Sequence, residues 1–325
     1  MEKSKIDIAV LLLFFARPKQ TAKVFEQIRL ARPSKLFLYQ DGAREGRQDD
    51  VEGIKACRKI VENIDWECEV HRMYQEKNYG CDPSEYISQK WMFSMVDKGI
   101  ILEDDDVPSQ SFFPYCKELL EKYEHDTRIS LISGINYMEE TKDCPYSYFF
   151  SSDVAIWGWA TWKRVIDAWD GQYTFTKDEY HMGLFRKLFK EHKLRSNLIP
   201  LLERHSNSGK EYYESILYGY HYLNNCLSIV PSKNMINNIG LEGGTHYSTN
   251  LTMLPKGVRK IFEMKRFEIQ LPLKHPKYVI ENLFYKDAVD KILARNKRMI
   301  QKYRLWEVRL YKLRAIILKW WYGKR

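Results

Sequence analysis

Four short apolar runs in the first third of the chain constrain its fold more than any other feature. They cover residues 8–15, 35–39, 68–74 and 99–102, and each begins about 30 residues after the previous one. This spacing accommodates a β-strand followed by a crossover helix. The first run is almost entirely apolar, as in a parallel strand that is buried on both faces. The sequence therefore predicts an α/β fold with a doubly wound, mostly parallel sheet flanked by helices.

The pattern is less regular after residue 127. Runs 129–133 and 227–230 are predicted strands, and residues 184–190, 197–204 and 212–224 have helical patterns. The aromatic stretch 157–162 is predicted to wedge into the core, with a helix starting near Ala160. We expect one large α/β domain over residues 1–250, a connecting segment over 251–288 and a basic amphipathic C-terminal helix over 289–325.

Polar residues follow each of the first four runs. Arg17 follows the first run, Asp41 the second, Asn78 and Gly80 the third, and the four acids Glu103-Asp104-Asp105-Asp106 the fourth. Ligands of parallel sheets bind beyond the carboxyl ends of the strands. The sequence therefore predicts a polar site at this edge of the sheet.

Four consecutive carboxylates repel one another unless a cation neutralises them. A solvated acidic turn is the simplest interpretation of such a run, but its place at a strand end favours Mn²⁺ or Mg²⁺ with oxygen ligands. A metal held by few carboxylates needs substrate phosphates to complete its shell. The chain has no P-loop, no dinucleotide-binding glycine turn and no protein-kinase motif set. A nucleotide sugar, whose diphosphate a metal can bridge, is the ligand that remains.

The ordered set of Arg17, Gln40-Asp41, Glu103-Asp104-Asp105 and Phe112-Phe113 resembles the metal-dependent GT-A glycosyltransferases. It is most similar to the N-acetylglucosaminyltransferase I family and its bacterial relatives in surface-polysaccharide synthesis, over about residues 6–250. The resemblance implies a GT-A fold and inverting transfer of a sugar from a nucleotide donor, UDP-linked in the family, to a glycan or lipid-linked acceptor. It also implies Mn²⁺, or Mg²⁺, as the cofactor.

The resemblance assigns roles to individual residues. Asp105 would be the direct metal ligand, and a nucleotide-sugar site would be formed by Arg17, Asp41, Asn78, Gly80, Glu103, Asp104, Trp157, Gly158 and Trp159. Within it, Arg17 would approach the diphosphate, Asp41 the uracil or ribose, and Asp104 the ribose or donor sugar. Residues 157–159 would border the donor sugar, where aromatic faces pack well on sugar rings.

The catalytic base is assigned to Glu214. An inverting transferase needs a carboxylate that removes the proton of the acceptor hydroxyl. The family has an aromatic-Asp pair on a helix before a strand that ends in proline, and Tyr213-Glu214 occupies that place here. Glutamate reaches one methylene further than aspartate, and Glu211 is the reserve candidate.

The net charge of +9 belongs to the C-terminal segment. Residues 289–325 contain twelve Lys and Arg against two acids, a net charge of +10, so the other residues sum to −1. An apolar stripe at helical spacing runs through Met299, Tyr303, Trp306, Leu310, Leu313, Ile317 and Trp320. Such a helix suits an anionic membrane surface, while packing on the domain or on another subunit as an oligomer stays open. Nucleic acid is not an expected partner because no recognised nucleic-acid-binding fold is present.

Two further features bear on location and function. The six cysteines form no metal or disulfide spacing, which favours a reducing compartment. We therefore expect a cytoplasmic protein, peripheral at the cytoplasmic face of the membrane. Two other functions remain open: a sugar-phosphate nucleotidyltransferase, and a degenerate, membrane-associated scaffold with a GT-A-like fold.

Overall fold

The computed structural model describes residues 2–191, 198–241 and 256–293, together with Leu310 and Leu313. The predicted C-terminal helix therefore lies almost wholly outside the described residues.

The first half of the chain alternates strands and helices as predicted. The elements are β1 (Ile6–Phe14), α1 (Pro18–Ala31), β2 (Pro33–Gln40), α2 (Gln48–Val61), β3 (Glu69–Tyr74), α3 (Cys81–Met95) and β4 (Lys98–Glu103). Pro18 is the first residue of α1, where its missing N–H costs no helical hydrogen bond.

The second half is less regular. Its strands are β5 (Asp106–Pro108), β6 (Ile129–Ser133), β7 (Tyr148–Ser151), β8 (Trp159–Trp162), β9 (Leu227–Pro231) and β10 (Ile236–Asn238). Its helices are α4 (Phe112–Lys122), α5 (Lys163–Asp167), α6 (Glu179–Glu191), α7 (Leu198–Ser206), α8 (Tyr213–Leu223), α9 (Lys256–Glu263) and α10 (Leu283–Ile292).

One largely parallel, eight-stranded sheet organises the molecule, which confirms the predicted fold class. Its order is β3-β2-β1-β4-β8-β6-β9-β7. Strands β1 to β4 pair in parallel, as do β6 and β9, whereas β8 and β7 pair antiparallel to their neighbours. A separate antiparallel ribbon joins β5 to β10.

The stretch predicted to start a helix near Ala160 is instead β8, and α5 begins only at Lys163. Pairing with β4 on one side and β6 on the other satisfies the backbone polar groups of β8 within a fully buried setting. The side chains of Trp159 and Trp162 are almost completely buried, so the prediction that the stretch wedges into the core is correct.

Strand register brings the carboxyl ends of the first four strands to one level. Leu13 of β1 lies opposite both Tyr39 of β2 and Glu103 of β4, and Gln40 lies opposite Tyr74 of β3. The residues that follow these strands therefore meet at one rim of the sheet.

The chain after residue 256 packs back against the sheet. Ile269 and Leu273 join the same apolar core as the central strands. The carboxylate of Glu268 accepts hydrogen bonds from the backbone N–H groups of Gln110 and Ser111, at 3.0 and 2.7 Å, where α4 begins. Across the described ranges, no helix combines the length and the apolar character that crossing a bilayer requires.

Candidate functional site

The centre of the rim is an ion-pair cluster of one arginine and two aspartates. Arg17 immediately precedes α1, and its guanidinium contacts Asp104 through both Nε and Nη2. The same Nη2 lies 3.0 Å from Oδ2 of Asp105. Asp104 also accepts a hydrogen bond from the backbone N–H of Phe15 at 3.4 Å. The guanidinium of Arg17 thus bridges two neighbouring carboxylates. The register of β1 and β4 brings the arginine and the two aspartates together.

Burial governs the electrostatics of this cluster. Burial alone would lower the pKa of Arg17, but the charges of Asp104 and Asp105 raise it above its ordinary value, so the guanidinium stays charged. The pKa of Asp104 is raised by burial and by Asp105, although Arg17 opposes this. The side chain of Asp104 is only 4% exposed, whereas those of Asp105 and Arg17 are 11% and 22% exposed. Asp105 and Arg17 are therefore the two members that a ligand at the rim can reach.

Asp105 is held by the segment that leaves β10. Asn238 donates from Nδ2 to Oδ1 of Asp105 at 3.3 Å, and Ile239 donates its N–H to the Asp105 carbonyl at 2.9 Å. A Cβ atom on Gly240 would lie 1.9 Å from Oδ2 of Asp105. Position 240 therefore has to be glycine for the carboxylate of Asp105 to keep this position.

Asp106 points inward and anchors the tryptophan-rich segment. Its Oδ2 accepts from the backbone N–H of Gly158 at 2.8 Å, and its Oδ1 accepts from Asn238 at 3.1 Å. Gly158 has φ +60° and packs against Ile236, so a side chain there would be both strained and obstructed. Burial raises the pKa of Asp106 well above its ordinary value. Asp106 is thus a structural support behind Asp105.

The three predicted sugar-contacting residues of this segment differ in access. Trp159 is 1% exposed and lies in the main core, so its ring is not presented at the rim. Trp157 is partly buried and packs on Phe262 with ring centroids 5.2 Å apart. Gly158 meets the acidic cluster through its backbone.

Asp41 ties β2 to the loop after β3. Its carboxylate accepts from the backbone N–H groups of Gly42, Tyr79 and Gly80 and from Nδ2 of Asn78, at 2.9–3.1 Å. Burial nevertheless raises its pKa above the ordinary value. The structure thus brings Asp41, Asn78 and Gly80 together as predicted, but as partners of one another. Their contact with a nucleotide stays a prediction.

A second acidic group, which sequence reasoning missed, lies between α3, α8 and the end of β4. Glu85 of α3 is 6% exposed and accepts a hydrogen bond from Sγ of Cys81 at 3.4 Å. Burial raises its pKa well above the ordinary value; a hydrogen bond with Tyr213 opposes this and the charge of Glu214 adds to it. Nothing around position 85 marks this residue in the sequence, because its burial depends on a helix 128 residues further along.

The same contacts locate the predicted base. Burial and the charges of Glu85, Glu103 and Glu214 together raise the pKa of Tyr213 well above its ordinary value. Glu103 is itself partly buried, and burial with the charge of Glu85 raises its pKa. Glu214 is exposed and lies in the first turn of α8. Its charge acts on Glu85 and Tyr213, which both border the end of β4. Glu211 precedes the helix and is partly buried.

The side chains at the rim can hold a hard divalent cation only if a bound substrate supplies some of the metal's oxygen ligands. In ranges 2–191, 198–241 and 256–293, no three His, Cys, Asp or Glu side chains gather closely enough to hold a metal ion alone. Asp105 offers carboxylate oxygen at the more exposed edge of the cluster, and the missing Cβ of Gly240 leaves room for its Oδ2. Such a site suits Mn²⁺ or Mg²⁺ whose remaining ligands are phosphate oxygens and water.

Comparisons with known proteins do not identify a family for this chain. No family model matches the chain, and no curated protein matches it either. A structure described as UDP-glucose pyrophosphorylase complexed with UDP-glucose is 8% identical, with a TM-score of 0.35 over 71% of this chain and 93% of the other. The inositol-1-phosphate CTP transferase from T. maritima is 11% identical, with a TM-score of 0.38 over 79% and 96%. Such low similarity supports no argument about substrate or reaction, and the resemblance to the N-acetylglucosaminyltransferase I family stays a prediction.

Proposed function

We propose that this protein is a metal-dependent transferase that uses a nucleotide sugar, and that its reaction is inverting glycosyl transfer from a UDP-linked donor. One observation carries the proposal: the buried Asp104 and accessible Asp105 share a single arginine at the carboxyl rim of a parallel sheet. A rim with this excess of carboxylate suits a cation and its phosphate ligand better than it suits an anion alone.

Each residue has a defined task in this reaction. Asp105 would hold Mn²⁺ or Mg²⁺, which offsets the charge that develops on the departing nucleoside diphosphate. Arg17, partly exposed beside Asp105, would contact the same diphosphate, while Asp104 keeps its guanidinium oriented. Asp41 fixes the loop of residues 78–80, which then forms one wall of the nucleotide site.

Glu214 takes the proton from the acceptor hydroxyl. It is exposed, and its neighbour Tyr213 is held by the buried Glu85, which fixes the start of α8 against the rim. A glycan or lipid-linked acceptor would approach from this side. Peripheral attachment at a cytoplasmic membrane face would suit a lipid-linked acceptor.

Sugar-phosphate nucleotidyl transfer is the second candidate. It is favoured by the composition of the rim, since this reaction also needs a metal, bound here to the nucleoside triphosphate from which pyrophosphate leaves, but no general base: a sugar phosphate is already ionised at neutral pH. Against it, α1 begins directly at Pro18, which leaves no glycine-rich loop after β1 to cradle a triphosphate.

The two reactions differ in product and in their need for Glu214. Nucleotide sugars are first screened with Mn²⁺ by thermal shift, because a true donor stabilises the fold. Turnover is then assayed for release of UDP, and separately for pyrophosphate from UTP plus a sugar phosphate. For glycosyl transfer, Glu214→Gln lowers kcat by about 10²–10⁴-fold and leaves UDP binding intact. The matched variant Glu211→Gln retains activity.

Two results decide against glycosyl transfer. Pyrophosphate release that Glu214→Gln leaves unchanged would establish nucleotidyl transfer. Mn²⁺-dependent UDP binding without turnover on any acceptor or sugar phosphate would instead favour a scaffold.

A further inference from the structure

Four large apolar side chains are exposed just before α10 and in its first turn. Tyr278 is 67% exposed, Ile280 73%, Leu283 60% and Phe284 91%. Single exposed apolar residues are common, but a contiguous group of this size marks an interaction surface. We call these four residues the 278–284 patch.

The patch continues into an apolar groove beside the edge strand β7. The groove has a volume of about 680 Å³ and lies between the start of α10 and residues 138–146. Phe149 and Tyr285 form part of it, with ring centroids 4.8 Å apart, and Met138 and Tyr146 on its other wall are 39% and 40% exposed. Patch and groove together form one continuous apolar face.

Backbone anchors hold the patch in this exposed position. Asn282 donates its N–H to the Phe150 carbonyl at 2.8 Å, and its side chain accepts from the N–H of Tyr285 at 3.0 Å, which caps α10. Glu281 accepts from the N–H of Ser152 at 2.9 Å. Because residues 281 and 282 are fixed to the sheet edge, Ile280 and Phe284 project outward as part of the fold.

The charge around this face indicates what it contacts. Lys142, Lys274 and Lys277 are exposed beside it, and the Lys277 ammonium lies 5.2 Å from the ring centre of Tyr278. Asp143 and Asp287 are exposed nearby, so most of the positive charge comes from the sequence that begins within α10, residues 289–325, with a net charge of +10. In that sequence, Leu310 and Leu313 of the apolar stripe are 59% and 60% exposed, so these two residues do not cover the patch.

From these observations we propose that the 278–284 patch inserts into the surface of an anionic lipid bilayer, with residues 289–325 supplying the electrostatic attraction. An apolar face bordered by tyrosines suits the boundary between headgroups and acyl chains. A bilayer can bury the 278–284 patch together with the exposed Leu310 and Leu313 at the same strongly basic end of the chain. The attachment is independent of which transfer reaction the rim performs.

The experiment measures binding of the full chain to vesicles of phosphatidylcholine with phosphatidylglycerol and to vesicles of phosphatidylcholine alone. The double variant Ile280→Ser/Phe284→Ser is compared with Tyr180→Ser/Leu184→Ser, which removes two exposed apolar residues, 71% and 52% exposed, from α6. Losing two inserted side chains weakens binding to anionic vesicles by roughly 10-fold or more. The loss persists at high salt, where attraction by the basic residues is screened. The α6 variant binds like the parent.

Hydrogen exchange on the unmodified protein gives a second readout that needs no variant. Anionic vesicles are expected to slow exchange in residues 278–285 and to leave α6 unaffected. Equal vesicle binding by parent and patch variant, with no protection of residues 278–285, overturns the proposal. The proposal is also overturned if the parent is a dimer that does not bind vesicles and the patch substitutions make it monomeric, since that result assigns the face to a second copy of the chain.

Discussion

The two ends of the central sheet differ in how their charged side chains are paired and how deeply they are buried. At the amino ends of the strands, Lys35 pairs with Glu69 at 2.6 Å and Lys98 with Glu124 at 2.9 Å, and all four side chains are 33–52% exposed. At the carboxyl ends, Asp104 and Asp105 share one arginine, and their side chains are only 4% and 11% exposed.

The charged residues at the two ends therefore contribute differently to stability and to binding. Exposed, matched pairs cost little to form and contribute little to stability. Two mostly buried carboxylates that share a single arginine keep an excess of negative charge that opposes folding, and a ligand that neutralised this charge would recover that free energy. The carboxyl rim is therefore the end of the sheet at which a bound cation would change the free energy of unfolding most, and substitutions at the two ends should have unequal effects.

The largest effect is expected at Asp105. Asp105→Asn keeps the shape and one acceptor oxygen but removes the negative charge that would hold the metal. We expect transfer to fall by at least ~100-fold, on the scale of other charge-stabilising groups, and Mn²⁺-dependent UDP binding to be lost. Calorimetric titration of UDP with and without Mn²⁺ measures this. The control at the opposite end is Asp7→Asn, which retains binding; Mn²⁺-dependent UDP binding by Asp105→Asn would remove Asp105 from the metal site.

A smaller effect, visible as a pH dependence, is expected at Glu85. Burial raises the pKa of its carboxyl, so the folded protein keeps a proton that the unfolded chain loses, and stability falls as pH rises from the ordinary glutamate value through the folded pKa. Glu85→Gln removes this loss, so the variant is more stable than the parent at neutral pH and the difference shrinks in acid. Thermal melts between about pH 5 and pH 8 test the sign.

Glu69 at the opposite end provides the control of opposite sign. Hydrogen bonds from Lys35 and His71 lower the pKa of Glu69, so its contribution is lost as pH falls. Glu69→Gln should therefore lower stability slightly at neutral pH and converge with the parent in acid. If Glu85→Gln behaves the same way, the carboxyl of Glu85 is ionised in the folded protein and the contrast between the two ends is weaker than we infer.

The smallest effect is expected at Lys98. Its exposed pair with Glu124 contributes no more than ~1 kcal/mol to the free energy of unfolding, so Lys98→Ala should change urea denaturation only slightly and leave transfer unaffected. A loss of activity in this variant would show that the amino ends of the strands contribute to function.

How far the sequence predicts the molecule depends on how local the determinant is. The strands β1 to β4 and the convergence of Arg17, Asp41 and Asp104 follow from apolar runs and from the residues directly after them. Glu85, Asn238 and Gly240 could not be found in this way. Each acquires its role from a contact made across more than 100 residues, which no local pattern records.

The prediction of a helix starting near Ala160 was wrong for a related reason. A strand buried on both faces shows no alternation, so four consecutive buried residues in β8 read equally well as the start of a helix. Only the gap between β4 and β6, which the rest of the sheet creates, decides in favour of a strand.

The position of β8 also bears on how the chain folds. Strands β1 to β4 come from one contiguous stretch of sequence. The β1–β2 and β2–β3 pairings join residues only about 26 and 34 positions apart, which keeps their loop-closure entropy low, and β4 then pairs with β1 across about 90 positions. The β6–β9 pair joins residues about 100 positions apart, and β8, antiparallel between β4 and β6, is the strand that connects this pair to the first four. We therefore expect the amino-terminal half of the sheet to form early and the remainder to assemble on it only when residues 159–162 dock. On this route the acidic rim at β4 is formed before Gly158 and Asn238 reach Asp106, and its like charges face water until the second half of the chain arrives.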